Sequence, residues 1–249
     1  EMGKSLKADP TELYLENYEL DTEEHYILSK LNSAIKNVTE IFDDYRLNEA
    51  PWHVEGLFLE LSRTYIQLTR DKASIGSEED KKIVFYAVFT VLLETLKLFA
   101  PIAPFIAESM YQNLKNEFKL KEESIHLFSW PKYNEKLIDK EIEAATQISN
   151  DIVQSALAVR EKLQMGVRWP IKEIVIATED KNVAGAVEKL RNVIKRQVNA
   201  KEVNIVETMP NVKLKIRADY SKIEPEFGDK GPKIIAHLTI DSHETVLKH

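Results

Sequence analysis

A chain of 249 residues with 30% charged and 43% hydrophobic side chains has the composition of a globular protein, which argues against extended disorder. The absence of cysteine excludes disulfides and cysteine-ligated zinc, and the net charge of −7 argues against a general nucleic-acid binder. The longest apolar stretch is too short for a spanning helix and the first residues lack an apolar signal core. We therefore expect no membrane association and a cytoplasmic location.

The charge is unevenly distributed along the chain. Residues 1–50 carry five Lys and Arg against twelve Asp and Glu, whereas residues 160–217 carry thirteen against seven. Such asymmetry leaves room for a local polyanion site on an acidic protein, although ordinary surface variation is the simpler explanation.

Apolar residues at three- and four-residue spacing predict helices through the first two thirds of the chain. In the first helix the apolar residues at this spacing run from Tyr26 to Tyr45, and Asp21 or Thr22 is the expected N-cap because glutamates follow in the first turn. We predict a second, continuous helix from Pro51 to Asp71.

Three further helices follow in the same region. Ser77, followed by three acidic residues, is the expected N-cap of a third helix through Leu98. Pro104 suits the first turn of a fourth helix. An extended stretch over 125–131 precedes a long fifth helix from Glu135 to Leu163.

The pattern changes after Gly166. Strands are predicted at 172–178, 202–206 and 212–217, with a helix through 183–194. We therefore expect a mostly α fold: a helix bundle over residues 1–166, followed by a small α+β domain over 167–249.

The sequence contains no recognisable reaction centre. It has no phosphate-binding loop, nucleophile elbow or HExxH motif, and its six histidines are scattered. We predict no catalytic residue, no metal ligand and no cofactor for this chain.

One face of the second helix is basic. Gln67 and Arg70 follow Arg63 by four and seven residues, so all three share a face opposite the apolar stripe. Lys72 lies nearby in the sequence. Guanidiniums spaced along a helix suit contacts to successive phosphates, and a glutamine between them suits a base edge. On spacing alone, a solvated face that pairs with the acidic first helix is the simpler interpretation.

A second basic cluster lies where the two predicted domains join. It contains Arg160, Lys162, Arg168 and Trp169. A cationic loop beside an exposed aromatic ring can stack an unpaired base and hold its backbone. Alternatively, Trp169 packs between the domains and the charges merely flank it.

Several strings, taken together and in order, resemble segments of class I tRNA synthetases. Those shared by the isoleucine, valine and leucine enzymes are YILSKLN at 26–32, KLFAPIAPFIAE at 97–108, similar to "LLAPxxPFxxE", and residues 123–131, similar to "SVHxxxWP". LSRTYIQLTRD at 61–71 is similar to a helix of the isoleucine enzymes. Three later segments resemble the archaeal and eukaryotic isoleucine enzymes in particular: 160–171, which contains RWPI, 198–203 and 220–233.

This resemblance implies the C-terminal, anticodon-binding region of an isoleucyl-tRNA synthetase. The implied partners are an isoleucine tRNA and the catalytic domain of the same polypeptide, and the full-length enzyme would use ATP and magnesium. The HIGH-like and KMSKS-like signatures are absent, so we expect the chain to be inactive alone. Under this resemblance, tRNA contact becomes the favoured interpretation of Arg63 and Arg70, while the cluster from Arg160 to Trp169 stays open.

Two alternatives remain at this point. One is the same module from a valyl-tRNA synthetase, although the domain expected after Gly166 favours isoleucine. The other is a non-catalytic helical scaffold for a protein partner, which predicts an apolar surface patch and no salt-dependent RNA binding.

Overall fold

The computed structural model describes residues 18–208. By its internal contacts the chain divides into two units, Glu1–Ile205 and Val206–His249. The strand predicted at 212–217 and the last segment that resembles the synthetases lie outside the described residues.

The first helix, α1, covers Thr22–Asp43, and its N-cap is Asp21, as predicted. The backbone N–H of Asp21 donates to the Glu24 carboxylate at 3.2 Å, which closes the first turn. The other helices are α2 Ala50–Leu59, α3 Arg70–Ile75, α4 Glu78–Phe99, α5 Pro104–Phe118, α6 Lys140–Lys162, α7 Lys181–Lys189 and α8 Arg191–Val198.

The prediction of one continuous helix from Pro51 to Asp71 was wrong. Helix α2 ends at Leu59 and passes into a π-helical turn over Glu60–Tyr65, then a single α-turn over Ile66–Leu68. Thr69 leaves helical geometry, and its hydroxyl donates to the Tyr65 carbonyl at 2.8 Å before α3 begins. Each turn of a π-helix takes in an extra residue, so side chains beyond it are rotated relative to α2.

Local signals set the ends of the following helices. Ser77 caps α4 as predicted, because its hydroxyl accepts the Asp80 N–H at 3.1 Å, and Pro104 lies in the first turn of α5. The long helix begins at Lys140 rather than Glu135, since the Asp139 carboxylate accepts the N–H groups of the next turn. The stretch predicted as extended contains a 3₁₀ turn, Ile125–Leu127.

Two apolar cores lie within the helix bundle. Helix α1 packs against α2, α4 and the first half of α6, around side chains such as Ile27, Val38 and Tyr65. A second core between α4 and α5 contains Phe89 and Tyr111. Helix α4 contributes to both cores, which agrees with its apolar residues on most faces.

The second half of α6 belongs to a third core. It packs against α7 and α8, which connect β1 (Ile171–Ala177) to its parallel neighbour β2 (Ala200–Val206). The predicted helix over 183–194 is two helices that meet at Leu190. The mostly α fold with a small sheet is confirmed, whereas the domain boundary near residue 167 stays a prediction.

Membrane insertion finds no support in this part of the chain. Among residues 18–208, no helix is both long enough and apolar enough to span a bilayer.

Candidate nucleic-acid interface

An open groove of about 660 Å³ separates the segment Arg63–Asp71 from helices α6 and α8. We call it the arginine groove. It is polar along much of its length, and its lining residues are Arg63, Thr64, Gln67, Leu68, Arg70, Asp71, Gln147, Asn150, Asp151, Val153, Gln154, Leu157, Val167, Arg196 and Gln197.

The structure brings Arg63, Gln67 and Arg70 together on one wall of this groove, and all three are exposed. Arg63 lies in the π-turn and Arg70 opens α3, so the wall is assembled across the break at Thr69. Within residues 18–208, neither guanidinium has an ion pair or hydrogen-bond partner. Their donors are therefore free to bind an anion that enters the groove.

The opposite wall is rich in side-chain amides, which the sequence analysis did not identify. Gln147, Asn150 and Gln154 project from α6 at three- and four-residue spacing. Gln147 Nε2 donates to Asp151 Oδ1 at 3.2 Å. The same spacing, read for polar instead of apolar residues, is the signal that would have found this wall.

Arg196 lines the groove but is already bonded. Its Nη2 donates to Glu23 Oε1 at 2.7 Å and to the Leu68 carbonyl at 3.0 Å. This arginine joins α8 to α1 and to the turn before Thr69. It supports the groove, and it offers a ligand fewer free donors than Arg63 or Arg70.

Lys72, expected on the tRNA-binding face, points inward. Only 11% of its side chain is exposed, and its Nζ lies 2.7 Å from the fully buried Glu24 and 2.8 Å from Asp21. Burial alone lowers the pKa of Lys72, but its hydrogen bonds to Asp21 and Glu24 outweigh burial and raise it. The amine is therefore held as a cation inside the bundle and is turned away from solvent.

The same carboxylates also form the cluster most suited to a metal ion among the described residues. Asp21, Glu23 and Glu24 have oxygens close enough to share one ion. Lys72 pairs with two of them and Arg196 with the third. Since each of the three carboxylates already pairs with a cation of the protein, the cluster's geometry provides no argument for a metal.

Arg160, expected at the RNA-binding junction, is also internal. It is 4% exposed, and it donates to the carbonyls of Val198 at 3.3 Å, Gly166 at 2.6 Å and Trp169. These bonds fasten the loop between α6 and β1. The other junction residues, Lys162, Arg168 and Trp169, are exposed, and Val167 of the α6–β1 loop is one of the residues that line the groove.

The bundle matches a known protein family. The family described as the anticodon-binding domain of tRNA ligases matches residues 24–176. Isoleucine–tRNA ligase of Thermococcus kodakarensis is 35% identical over 238 residues, which cover 95% of this chain and 22% of that protein. The corresponding enzyme of Pyrococcus abyssi is 36% identical over 92% of this chain and 21% of its own length. The enzyme of Methanosarcina barkeri is 37% identical over 92% of this chain and 22% of its own length. The chain thus spans about a fifth of these relatives.

Proposed function

The chain belongs to the family of anticodon-binding domains of tRNA ligases, and from this premise we propose that it binds the anticodon stem-loop of an isoleucine tRNA. One observation carries the proposed site: Arg63 and Arg70 are exposed on the arginine groove and have no ion pair within the described residues. RNA backbones carry a phosphate at every nucleotide, and guanidiniums bind phosphates with two parallel hydrogen bonds.

The groove also offers groups that suit bases. Gln67 lies between the two arginines, and the amides of Gln147, Asn150 and Gln154 face it across the groove. An amide side chain carries both a donor and an acceptor, so it can pair with the edge of an unstacked base. In the proposed complex the arginines hold the backbone and the amides contact loop bases.

The last residue of α6 and the exposed part of the α6–β1 loop extend this surface. Lys162 and Arg168 supply cations, and Trp169 presents an indole that is 71% exposed. Exposed aromatic rings stack on unpaired bases. Arg160 and Lys72 are left out of the contact surface, because their charged groups are bonded inside the protein.

The function of the longer protein is part of the same proposal. The relatives are isoleucine–tRNA ligases, so we propose that a catalytic domain on the same polypeptide joins isoleucine to tRNA, with ATP and magnesium, in the cytoplasm. We expect the 249-residue chain to bind RNA without ATP or magnesium and to form no isoleucyl-tRNA alone. Aminoacylation assays with the isolated chain test the second expectation.

Fluorescence anisotropy tests the binding proposal directly. A labelled hairpin with the isoleucine anticodon stem-loop is titrated with the 249-residue chain at about 50 mM and about 200 mM salt. We expect Arg63→Gln and Arg70→Gln each to weaken binding and to reduce the slope of log affinity against log salt by about one.

Arg46→Gln is the matched control. Arg46 is also an exposed arginine, but its guanidinium already pairs with Asp44 at 3.3 Å and with Glu49 at 2.6 Å. It should therefore contribute little to RNA affinity. Equal losses for all three variants, or unchanged affinity for the two groove variants, would contradict the proposed site.

The same titration separates the alternatives. A valyl module prefers a hairpin with the valine anticodon. A protein-binding scaffold shows no salt-dependent binding to any hairpin. The structural feature that favours a scaffold is an apolar groove of about 400 Å³ between α2 and α4, lined by Phe58, Leu92 and Phe99. Salt-dependent binding with a preference for the isoleucine hairpin supports the main proposal.

A further inference from the structure

A second, smaller cavity lies on the same side of α6 as the arginine groove. It has a volume of about 210 Å³, opens to solvent, and is bordered by α1, α2 with the start of the π-turn, and the first turn of α6. We call it the Trp52 pocket. Ligands of drug size fill pockets of roughly 300–1,000 Å³, so this volume suits a smaller, compact group.

The charges in the Trp52 pocket balance one another. Lys30 lies 3.8 Å from Glu60, and Lys140 lies 3.2 Å from Glu143. A phosphate entering here would meet two carboxylates as well as two amines. The pocket therefore favours a neutral ligand with a polar edge over an anion.

The wall and floor of the pocket suit a planar ligand. Trp52 is 73% exposed at its rim, so its indole face is available for stacking. Gly56 leaves the floor open, since a Cβ there would meet no atom within 4 Å. A glycine inside a helix costs about 1 kcal/mol relative to alanine, and packing alone does not require this one.

Polar groups at the edge complete the pocket. Asn37 and His53 are exposed and line it, and each offers hydrogen bonds to the rim of a flat heterocycle. An aromatic wall, an open floor and a polar edge without net charge are the features that recognise an unpaired nucleobase.

Both cavities lie between the chain segment from α2 to the start of α3 and helix α6. The Trp52 pocket uses Gly56 and Glu143, and the arginine groove uses Gln67 and Asp151, further along the chain in each case. At about 1.5 Å per residue, Glu143 and Asp151 of α6 are roughly 12 Å apart, a distance that a few unpaired nucleotides span. One RNA loop can therefore occupy both.

We propose that the Trp52 pocket binds one unpaired base of the RNA loop whose backbone lies over the arginine groove. This inference rests on the proposed function and adds a base-binding position to it. The base stacks on Trp52 and enters above Gly56, while its edge meets Asn37 and His53.

Two substitutions test the pocket without disturbing the fold. Trp52→Ala removes the stacking face of an exposed side chain, and Gly56→Met fills the floor while it improves helix propensity. We expect each to weaken hairpin binding by about 5- to 150-fold, the loss of one stacked base. Hairpins with 2-aminopurine at each loop position in turn should show one position whose fluorescence changes on binding to the unsubstituted chain but not to Trp52→Ala.

Matched controls exist for both changes. Phe105→Ala removes an aromatic ring that is 90% exposed and lines neither cavity, and Gly185→Met places methionine at another open helical glycine. Both controls should bind the hairpin normally.

The possible failures are distinguishable. If Trp52→Ala and Gly56→Met bind normally while Arg63→Gln and Arg70→Gln do not, the base pocket is refuted and the proposed function stands. If the unsubstituted chain fails to bind the hairpin, both are refuted. Weakened binding with no fluorescence change specific to one loop position also overturns the base pocket.

Discussion

Replacing Lys72 by methionine should destabilise the fold without reducing RNA affinity. Lys72 provides the only cation within 4 Å of the Glu24 carboxylate among the described residues, at 2.7 Å. Glu24 is fully buried and also accepts the Tyr65 hydroxyl at 3.0 Å. The substitution leaves a buried carboxylate with neutral hydrogen-bond donors but no counter-charge.

The size of the effect follows from this geometry. Removal of one partner from a buried ion pair costs about 3–5 kcal/mol. Lys72 keeps 11% exposure, so some solvent reaches the pair, and we take the lower end, about 3 kcal/mol. The second pair, with the exposed Asp21, adds at most about 1 kcal/mol. For a unit of this size, about 3 kcal/mol corresponds to a fall in Tm of roughly 6–12 °C.

Thermal unfolding followed by circular dichroism measures this change. Lys81→Met is the control, because Lys81 pairs with the exposed Glu78 at 3.2 Å and should cost little. In a Glu24→Gln background, Lys72→Met should cost much less, since no buried charge is left unpaired. A fall in Tm no larger than that of Lys81→Met would refute this account of Lys72, and so would a salt slope for RNA binding that falls by about one.

Three further predictions concern stability. Arg160→Met should cost about 3 kcal/mol and speed hydrogen exchange in the α6–β1 loop, because the carbonyls of Val198 and Gly166 lose a charged donor; unchanged exchange in this loop would contradict the prediction. Gly185→Ala should raise the free energy of unfolding by up to about 1 kcal/mol in a denaturant titration, since nothing lies within 4 Å of the new Cβ; a loss of stability would count against the helical environment described. Burial alone raises the pKa of Glu143, but hydrogen bonds from Ser29, Ser33 and Lys140 prevail and lower it below the usual 4.5. The ionised Glu143 therefore contributes stability above about pH 4.5, and this contribution is lost as pH falls through the folded pKa. In Glu143→Gln, the free energy of unfolding should fall less steeply below about pH 4.5 than in the unsubstituted chain. Identical falls in the two proteins would disprove this prediction.

The two inward-facing cations could have been identified from the apolar stripes. Leu61, Tyr65 and Leu68 continue at the same spacing to Lys72, so the position is internal whatever its charge. On α6, the buried Thr146 and Val153 are seven residues apart, and Arg160 follows seven later. Because they are charged, both residues were predicted to lie on the RNA-binding surface, whereas their position in the apolar stripe would have predicted burial.

Other features leave no trace in a single sequence. The spacing of Arg63, Gln67 and Arg70 predicted a shared face, but the structure assembles that face across a π-turn and a break at Thr69. No residue type marks a π-turn, which arises where tertiary packing outweighs local preference. The amide wall of the groove likewise depends on how α6 packs against a segment far away in the chain.

Helix α6 contributes side chains both to the core of the helix bundle and to the core beside β1 and β2. Its first half is embedded in the bundle, through Ile142, and its second half in the layer around β1 and β2, through Val153. Gln147 and Asn150 of the wall that faces Arg63 and Arg70 lie between these two buried residues, so packing on both sides fixes the position of the wall. A ligand seated there meets a surface whose shape is set in advance, and little of its binding free energy is spent on immobilising the protein.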